Sequence, residues 1–391
     1  MEDLETMLKT LKDMDFKGKR VLMRVDFNVP IGNPDGKGDI EDDFRIRSVL
    51  PTINYVLDHG ASQVVLMSHL DPWDDISPTT KDPRLKMDKV AKRLSELLEQ
   101  DVKKVDDCIN ISLPSAKVVM LENLRFYKEE KKNDVKFAEA LAKNGQVYVN
   151  DAFGTCHRAH ASVEAVVKYF KEYGAGLLVQ KEVEMLYPVM KTPKKPFYVI
   201  MGGSKVKSKI DVIESIGKKA DKIFIGGKMA LAFAGVEYID QEERDAASNL
   251  MDKFPAKLIL PLDYMTEDKA ILLAESPLIA SAERKIYDIG SKTIKEWKRE
   301  LTDAKTVFSN IIVGYFEKPP FDNGTNSLIR YMVELTKKGV ITIIGGGDSA
   351  SAVQKLGLQD KVSHVSTGGG ASLELLEGKE LPGLKVLGYY S

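Results

Sequence analysis

Apolar residues along this chain fall into short continuous runs separated by amphipathic stretches. In the first half, Val21–Phe27, Val64–Met67, Val118–Leu121 and Val147–Asn150 read as strands, and Ile46–Leu57, Lys86–Leu98 and Val135–Ala142 carry helical spacing. The second half repeats the scheme with strands at Phe197–Met201, Lys222–Ile225, Lys257–Leu260, Thr306–Phe308, Ile341–Ile344 and Val362–Val365. Strands without polar alternation, joined by helices, must be covered on both faces. The pattern therefore predicts an α/β fold of two doubly wound, Rossmann-like parallel-sheet domains.

Gly174-Ala175-Gly176 precedes a helical run at Leu177–Met190, which stops before Thr192-Pro193-Lys194-Lys195-Pro196. This punctuation predicts an interdomain helix and hinge with a flexible start; an ordinary peripheral helix is the alternative. The expected division is a first domain over 1–173, the helix over 174–191, a second domain over 192–372, and a segment 373–391 that returns to the first. Lys128–Lys132 (KEEKK) reads as a solvated surface turn.

The 391 residues include 57 Lys+Arg against 58 Asp+Glu, a formal net charge of −1, which argues against nucleic-acid or membrane-surface binding driven by bulk charge. Cys108 and Cys156 are too few for a disulfide framework and show no metal-type spacing. The charged N-terminus lacks an apolar signal core, and no apolar run is long enough to span a membrane. The expectation is a soluble cytoplasmic monomer.

Candidate chemistry sits at the ends of the predicted strands. Ile341–Ser349 (ITIIGGGDS) and Val365–Ser372 (VSTGGGAS) each run from a strand through three glycines into a helix start. Such turns present backbone amides and a helix dipole to an anion; each run alone also suits a tight structural turn. In the first half Arg24, Arg45, His69, Arg125, His157, Arg158 and His160 supply positive groups, all but the first two at carboxyl ends of strands. Together they predict an electropositive pocket for a small anion bearing carboxylate and phosphate. Asp26 and Asn28 add polar groups suited to a substrate hydroxyl or carboxylate, or to a turn before Pro30.

MRVDFNVP, ENLRF, VNDAFGTCHRAHAS, GGSKVKSKI, NGT, IIGGGDSASAV and STGGGASLELLEGKELPG occur in this order over nearly the whole chain. In this the sequence resembles the phosphoglycerate kinase family. The resemblance implies an ATP-dependent kinase of 3-phosphoglycerate, using Mg²⁺, with an N-terminal acid-binding domain and a C-terminal nucleotide domain that close about a hinge. It implies that Lys205 and Lys209 contact the nucleotide phosphates and the group in flight, that Asp348 holds Mg²⁺, and that Gly368, Gly369 and Gly370 supply amides. Arg45 becomes the transition-state cation, and Asp26, Asn28, Arg45, His69, Arg125 and Arg158 become the acid site. Gly226, Gly227, Asn310, Glu317 (at the ribose), Gly345, Gly346, Gly347 and Ser349 fall at the nucleotide.

Departures from the family pattern accompany these matches. Asp71-Pro72-Trp73-Asp74 follows Ser68-His69-Leu70 where the family usually has Gly-Arg-Pro, removing an arginine and adding negative charge; Arg84 and Lys86 stand downstream as possible replacements. Asn310-Ile311-Ile312-Val313-Gly314 replaces Asn-Gly-Pro-x-Gly and predicts a different backbone course, Lys228 stands where a third glycine is usual, and Ser208 replaces an aspartate. Alternative readings are a kinase for a different small carboxylic acid and a weakly active nucleotide-binding regulatory relative. A dehydrogenase is disfavoured, since no G-x-G-x-x-G follows the first strand of either half.

Overall fold

A run such as Val64–Met67, apolar at every position, can bury both of its faces only inside a covered sheet. In the computed structural model, which describes residues 8–32, 38–71, 77–280 and 285–390, that is where these runs lie. The chain divides into two compact units, Met1–Glu184 with Glu380–Ser391, and Met185–Lys379.

The first unit is built on β1 (Arg20–Val25), β2 (Gln63–Met67), β3 (Val102–Lys104), β4 (Val118–Met120), β5 (Val147–Asp151) and β6 (Tyr173–Ala175). Their order is β3-β4-β2-β1-β5-β6, and every neighbouring pair is parallel. The chain winds outward from β1 through β2 and then returns to lay β5 on the other side of β1. That reversal opens a crevice at the carboxyl ends of β1 and β5, where ligands bind in open α/β sheets. Beneath it, Val21, Met23, Val25, Val64, Leu66, Val118, Met120, Val147 and Val149 are buried with the apolar face of the helix Phe44–Asp58. Each such side chain removed from water contributes about 1.5–3 kcal/mol before entropy is counted.

The second unit holds β7 (Phe197–Met201), β8 (Lys222–Ile225), β9 (Leu258–Ile259), β10 (Asp263–Thr266), β11 (Ile271–Leu273), β12 (Ile286–Ile289), β13 (Thr306–Asn310), β14 (Ile341–Ile344) and β15 (His364–Val365). Six of them form a parallel sheet in the order β15-β14-β13-β7-β8-β9, with the switch between β7 and β13. β11-β10-β12 form a small antiparallel sheet.

The doubly wound expectation holds for both units, with three differences in detail. The segment expected as the helix's flexible start is part of β6, paired with β5 from Tyr173 to Ala175. The glycine at 176 answers a close approach: a Cβ there would come 2.2 Å from Asp151 Oδ1, and Asp151 accepts the Leu178 amide at 2.9 Å at the start of the helix Leu177–Lys191. The division between units falls inside that helix. At the other end, the helix Gly370–Glu377 packs on Ile210–Gly217, so the chain rejoins the first unit from Glu380 and not from 373.

Candidate active site

At the carboxyl edge of the first sheet, four guanidiniums converge on one imidazole. Arg125, Arg24, Arg45 and Arg158 all act electrostatically on the His69 ring, which is buried. Arg45, in the first turn of the helix Phe44–Asp58, donates to Asp26 Oδ2 at 3.1 Å and to the Asn28 carbonyl at 3.0 Å. Asn28 in turn accepts the Asp71 amide at 2.7 Å, tying the end of β1 to the segment after β2. The Arg125 guanidinium pairs with the Asp71 carboxylate, and Asn123 fixes the Arg125 loop by accepting its amide at 3.0 Å while donating to Leu70 and Leu85. Arg158 lies exposed at the rim, within electrostatic reach of Arg125, Asp26, Arg24 and Asp71.

Three expectations change here. First, the histidines do not add positive charge. Burial, reinforced by the surrounding arginines, drives the His69 ring well below its ordinary pKa, His157 to about 4 and His160 to about 3, so all three are neutral near pH 7. His69 Nδ1 bonds Arg24 and His157 Nε2 accepts from Arg158, so two of them act as hydrogen-bonding groups. Second, Arg24 does not face a ligand. It is 1% exposed, and its guanidinium bonds Ser162 Oγ at 2.8 Å, the Val25 carbonyl, and His69 Nδ1 at 3.2 Å. Its position in the interior of β1 points the side chain into the protein. Third, the Lys128–Lys132 turn is not wholly solvated. Glu130 is 1% exposed and accepts from the Ser162 hydroxyl at 2.6 Å and the Ser162 amide at 2.9 Å, placing a buried carboxylate across Ser162 from Arg24. Burial raises the Glu130 pKa, and the charge of Arg24 opposes the rise.

Of the segment Asp71-Pro72-Trp73-Asp74, only Asp71 lies among the described residues. Neither downstream cation takes over as an arginine in the pocket. Arg84 is bonded to Asp82 at 2.6 Å, and Lys86 is exposed.

The second unit carries a cavity of about 680 Å³ at its own switch point, within the range of ligand pockets. It is lined at the strand ends by Gly202, Gly203, Gly227, Asn310, Gly346, Gly347, Asp348, Gly369 and Gly370, and further round by Ser208, Lys209, Lys228, Ile312, Glu317 and Ser349. Helices Gly347–Lys355 and Gly370–Glu377 both begin there, and their N-caps, Gly346 and Gly369, have no side chain to cap the first-turn amides. Their first-turn amides, with the helix dipoles behind them, suit phosphate oxygens. Gly346 turns into its helix at φ +101°, a conformation that L side chains rarely adopt. Lys209 is half-buried and burial lowers its pKa, with Asp348 and Glu377 opposing, so an anion beside it would be favoured.

A nucleotide with Mg²⁺ fits this lining. Mg²⁺ bound with nucleotide phosphates commonly takes only one or two protein carboxylates, and Asp348 stands exposed beside the uncapped helix start. Among the described residues no cluster of three metal-ligating side chains competes with that arrangement.

The remaining expected nucleotide residues are placed differently. Gly226, Gly345 and Gly368 do not line the cavity; Gly226 lies against Val313 and Trp297 beneath it. Lys205 is exposed and outside the lining. Ser349 lines the cavity, yet its hydroxyl accepts the Ile311 amide at 3.0 Å and so holds the loop after β13. In that loop Ile311 and Val313 are buried, and Ile312 and Val313 both line the cavity. Sequence reasoning missed Tyr264 and Tyr287, which complete the wall; both come from the small antiparallel sheet, whose strands carry no long apolar run.

Two doubly wound units, one with an arginine-rich anion pocket and one with a glycine-lined phosphate pocket beside the Asp348 carboxylate, define a nucleotide-dependent phosphotransferase acting on a small anion. The phosphoglycerate kinase family model matches residues 11–379. The chain is 46% identical to the cytosolic phosphoglycerate kinase of Nicotiana tabacum, over 97% of each chain. It is also 46% identical to the chloroplastic phosphoglycerate kinase of Volvox carteri, over 98% of this chain and 87% of that one. Among solved structures, phosphoglycerate kinase from Coxiella burnetii superimposes with a TM-score of 0.80 at 32% identity, covering 97% of this chain and 98% of that one. The chain belongs to the phosphoglycerate kinase family.

Proposed function

We infer that this protein catalyses reversible phosphoryl transfer between ATP and the carboxylate of 3-phosphoglycerate, the glycolytic reaction for which its relatives are named. The observation that carries the reading is the presence, on one chain, of the arginine cluster around His69 and the cavity of paired uncapped helix starts with Lys209 and Asp348. Each pocket supplies the charge that one of the two substrates needs.

A carboxylate with pKa near ~4 is already ionised at neutral pH, so its attack on phosphorus needs no general base. The neutral histidines agree with this. What the reaction needs is positioning and positive charge on the equatorial oxygens. We assign Lys209 and the amides of Gly347 and Gly370 to that task on the nucleotide side. Arg45 is assigned the charge that develops during transfer, and Arg125, Arg158, Asp26 and Asn28 the holding of the acid. Asp348 would hold Mg²⁺, which when bound neutralises phosphate charge; Glu317 and Asn310 would hold the nucleoside. Direct transfer requires the two substrates to touch, so turnover requires the units to bring their pockets together.

We take the protein as a cytoplasmic monomer acting on small molecules, its two free, buried cysteines suiting a reducing compartment. Among the described residues no helix is long and apolar enough to cross a membrane. The test is steady-state turnover with MgATP and 3-phosphoglycerate, coupled to reduction of the acyl phosphate, beside an Arg158→Ala control. Turnover that the control sharply reduces is expected. MgATP binding without turnover would overturn the choice of acid and favour a kinase for another carboxylate.

A further inference from the structure

The most informative contact outside the assigned machinery is made by Asp71. Its amide is fixed by Asn28 Oδ1 at 2.7 Å, so its backbone is part of the pocket wall, and its carboxylate reaches the Arg125 guanidinium. Both side chains are largely withdrawn from water, at 7% exposure for Arg125 and 15% for Asp71. The Arg125 Nε is buried and has no hydrogen-bond partner among the described residues, so Asp71 engages only part of the guanidinium. A second cation stands ready for the same carboxylate: Lys131 Nζ is 3.9 Å from Asp71 Oδ2, on a side chain that is 55% exposed and able to move.

The other guanidiniums show what this means for charge. Arg45 is matched by Asp26, and Arg24 faces Glu130 across Ser162. With Arg125 held by Asp71 and Arg24 linked to Glu130 only through Ser162, Arg158 has no carboxylate partner among the described residues, direct or through one side chain; its Nε donates to His157 at 3.1 Å. A multiply charged acid entering this pocket meets a site whose positive charge is already largely matched.

We propose that Asp71 is a resident anion of the acid pocket, which occupies Arg125 in the free enzyme and must transfer to Lys131 when the phosphate or carboxylate of the substrate arrives. This rests on the reading of the arginine cluster as the acid site. Asp71 thereby sets the affinity for the acid and selects for ligands with enough negative charge to displace a carboxylate from a guanidinium. A singly charged acid cannot match that, whereas a phosphorylated acid can.

The test compares the wild type, Asp71→Asn, Arg125→Ala, Lys131→Ala and the Asp71→Asn/Lys131→Ala double variant. KM for 3-phosphoglycerate is measured at saturating MgATP, with calorimetric titration by 3-phosphoglycerate alone. Asn keeps the shape of the side chain and removes the competing charge. Asp71→Asn should lower KM and Kd on the order of tenfold, as expected for freeing one charge-assisted hydrogen bond. An unchanged or higher Kd would mean that Asp71 orients Arg125 for the substrate, overturning the proposal. Lys131→Ala should raise Kd in the wild type and have no effect beside Asp71→Asn; an effect that persists there would make Lys131 a direct substrate contact and overturn the transfer. If Arg125→Ala leaves Kd unchanged, the acid-site reading itself has failed, whatever Asp71→Asn does.

Discussion

Arg45 Nη1 lies 3.1 Å from Asp26 Oδ2, and the two differ sharply in exposure: 29% for the arginine side chain and 8% for the aspartate. The anchor is therefore almost sealed while the cation remains half in water. Asp26 has little freedom to turn away, so it holds the guanidinium on the substrate side of the pocket at small entropic cost. A cation prepared in this way is best used on charge that exists only during transfer. Arg45→Ala should reduce kcat on the order of 10²–10³-fold, the scale seen for removing one preorganised transition-state donor, with little change in the Kd for MgATP. Steady-state kinetics and nucleotide calorimetry decide it; a near-normal kcat would remove Arg45 from the chemistry.

Asp348 lies at the start of the helix Gly347–Lys355, where a carboxylate interacts favourably with the dipole and adds negative charge to a cavity otherwise prepared for phosphate. An aspartate in such a place repels the nucleotide unless a cation stands between them. Asp348→Ala should therefore weaken binding of MgATP while leaving metal-free ATP unchanged or bound slightly more tightly. Calorimetry with and without Mg²⁺ checks this, and equal losses in both titrations would refute a metal role.

Much of this was legible from the chain because a parallel strand buried on both faces writes itself as an unbroken apolar run. β7, β8 and β14 begin and end where their sequence says. β3 (Val102–Lys104) and β6 (Tyr173–Ala175) were not legible, because both are short edge strands carrying lysine or glycine. The site divides along a similar line. Cations after strands can be found by position alone, since topology places every strand's carboxyl end on one edge. Their partners cannot. Glu130 meets Ser162 across 32 residues and Asp71 meets Arg125 across 54, and only the folded chain shows which arginine is left facing the ligand. The histidines illustrate the same limit, for their neutrality follows from burial and crowding that no local motif encodes.

The Glu130–Ser162–Arg24 contact yields a stability prediction. Arg24 stays charged at any ordinary pH, so removing the facing carboxylate leaves a fully buried charge uncompensated. Glu130→Gln should cost about 3–5 kcal/mol in urea unfolding, far above the effect of an exposed ion pair. Arg24→Met combined with Glu130→Gln should recover part of the loss, because an apolar side chain needs no partner. A cost below about 1 kcal/mol for Glu130→Gln would show that water or Asp26 compensates the Arg24 charge in place of Glu130.

His160 gives the pH dependence its sign. Its pKa is about 3 in the folded protein, against ~6.5 in an unfolded chain. Above about pH 7.5, a unit beyond the unfolded pKa, the ring is neutral in both states and contributes almost nothing to the slope. As pH falls from about 6.5 toward 3, the unfolded chain takes up a proton that the native site refuses, so native stability is progressively lost; His157, with its pKa near 4, adds to the same trend. His160→Asn, which cannot titrate, should flatten the fall in Tm over this window while leaving its value at pH 8 nearly unchanged. The same neutrality means that kcat/KM should show no histidine titration between pH 6.5 and 8. A kinetic pKa in that interval that vanished in His157→Asn or His160→Asn would mean that substrate binding charges the ring, and would return those histidines to the list of cations that hold the acid.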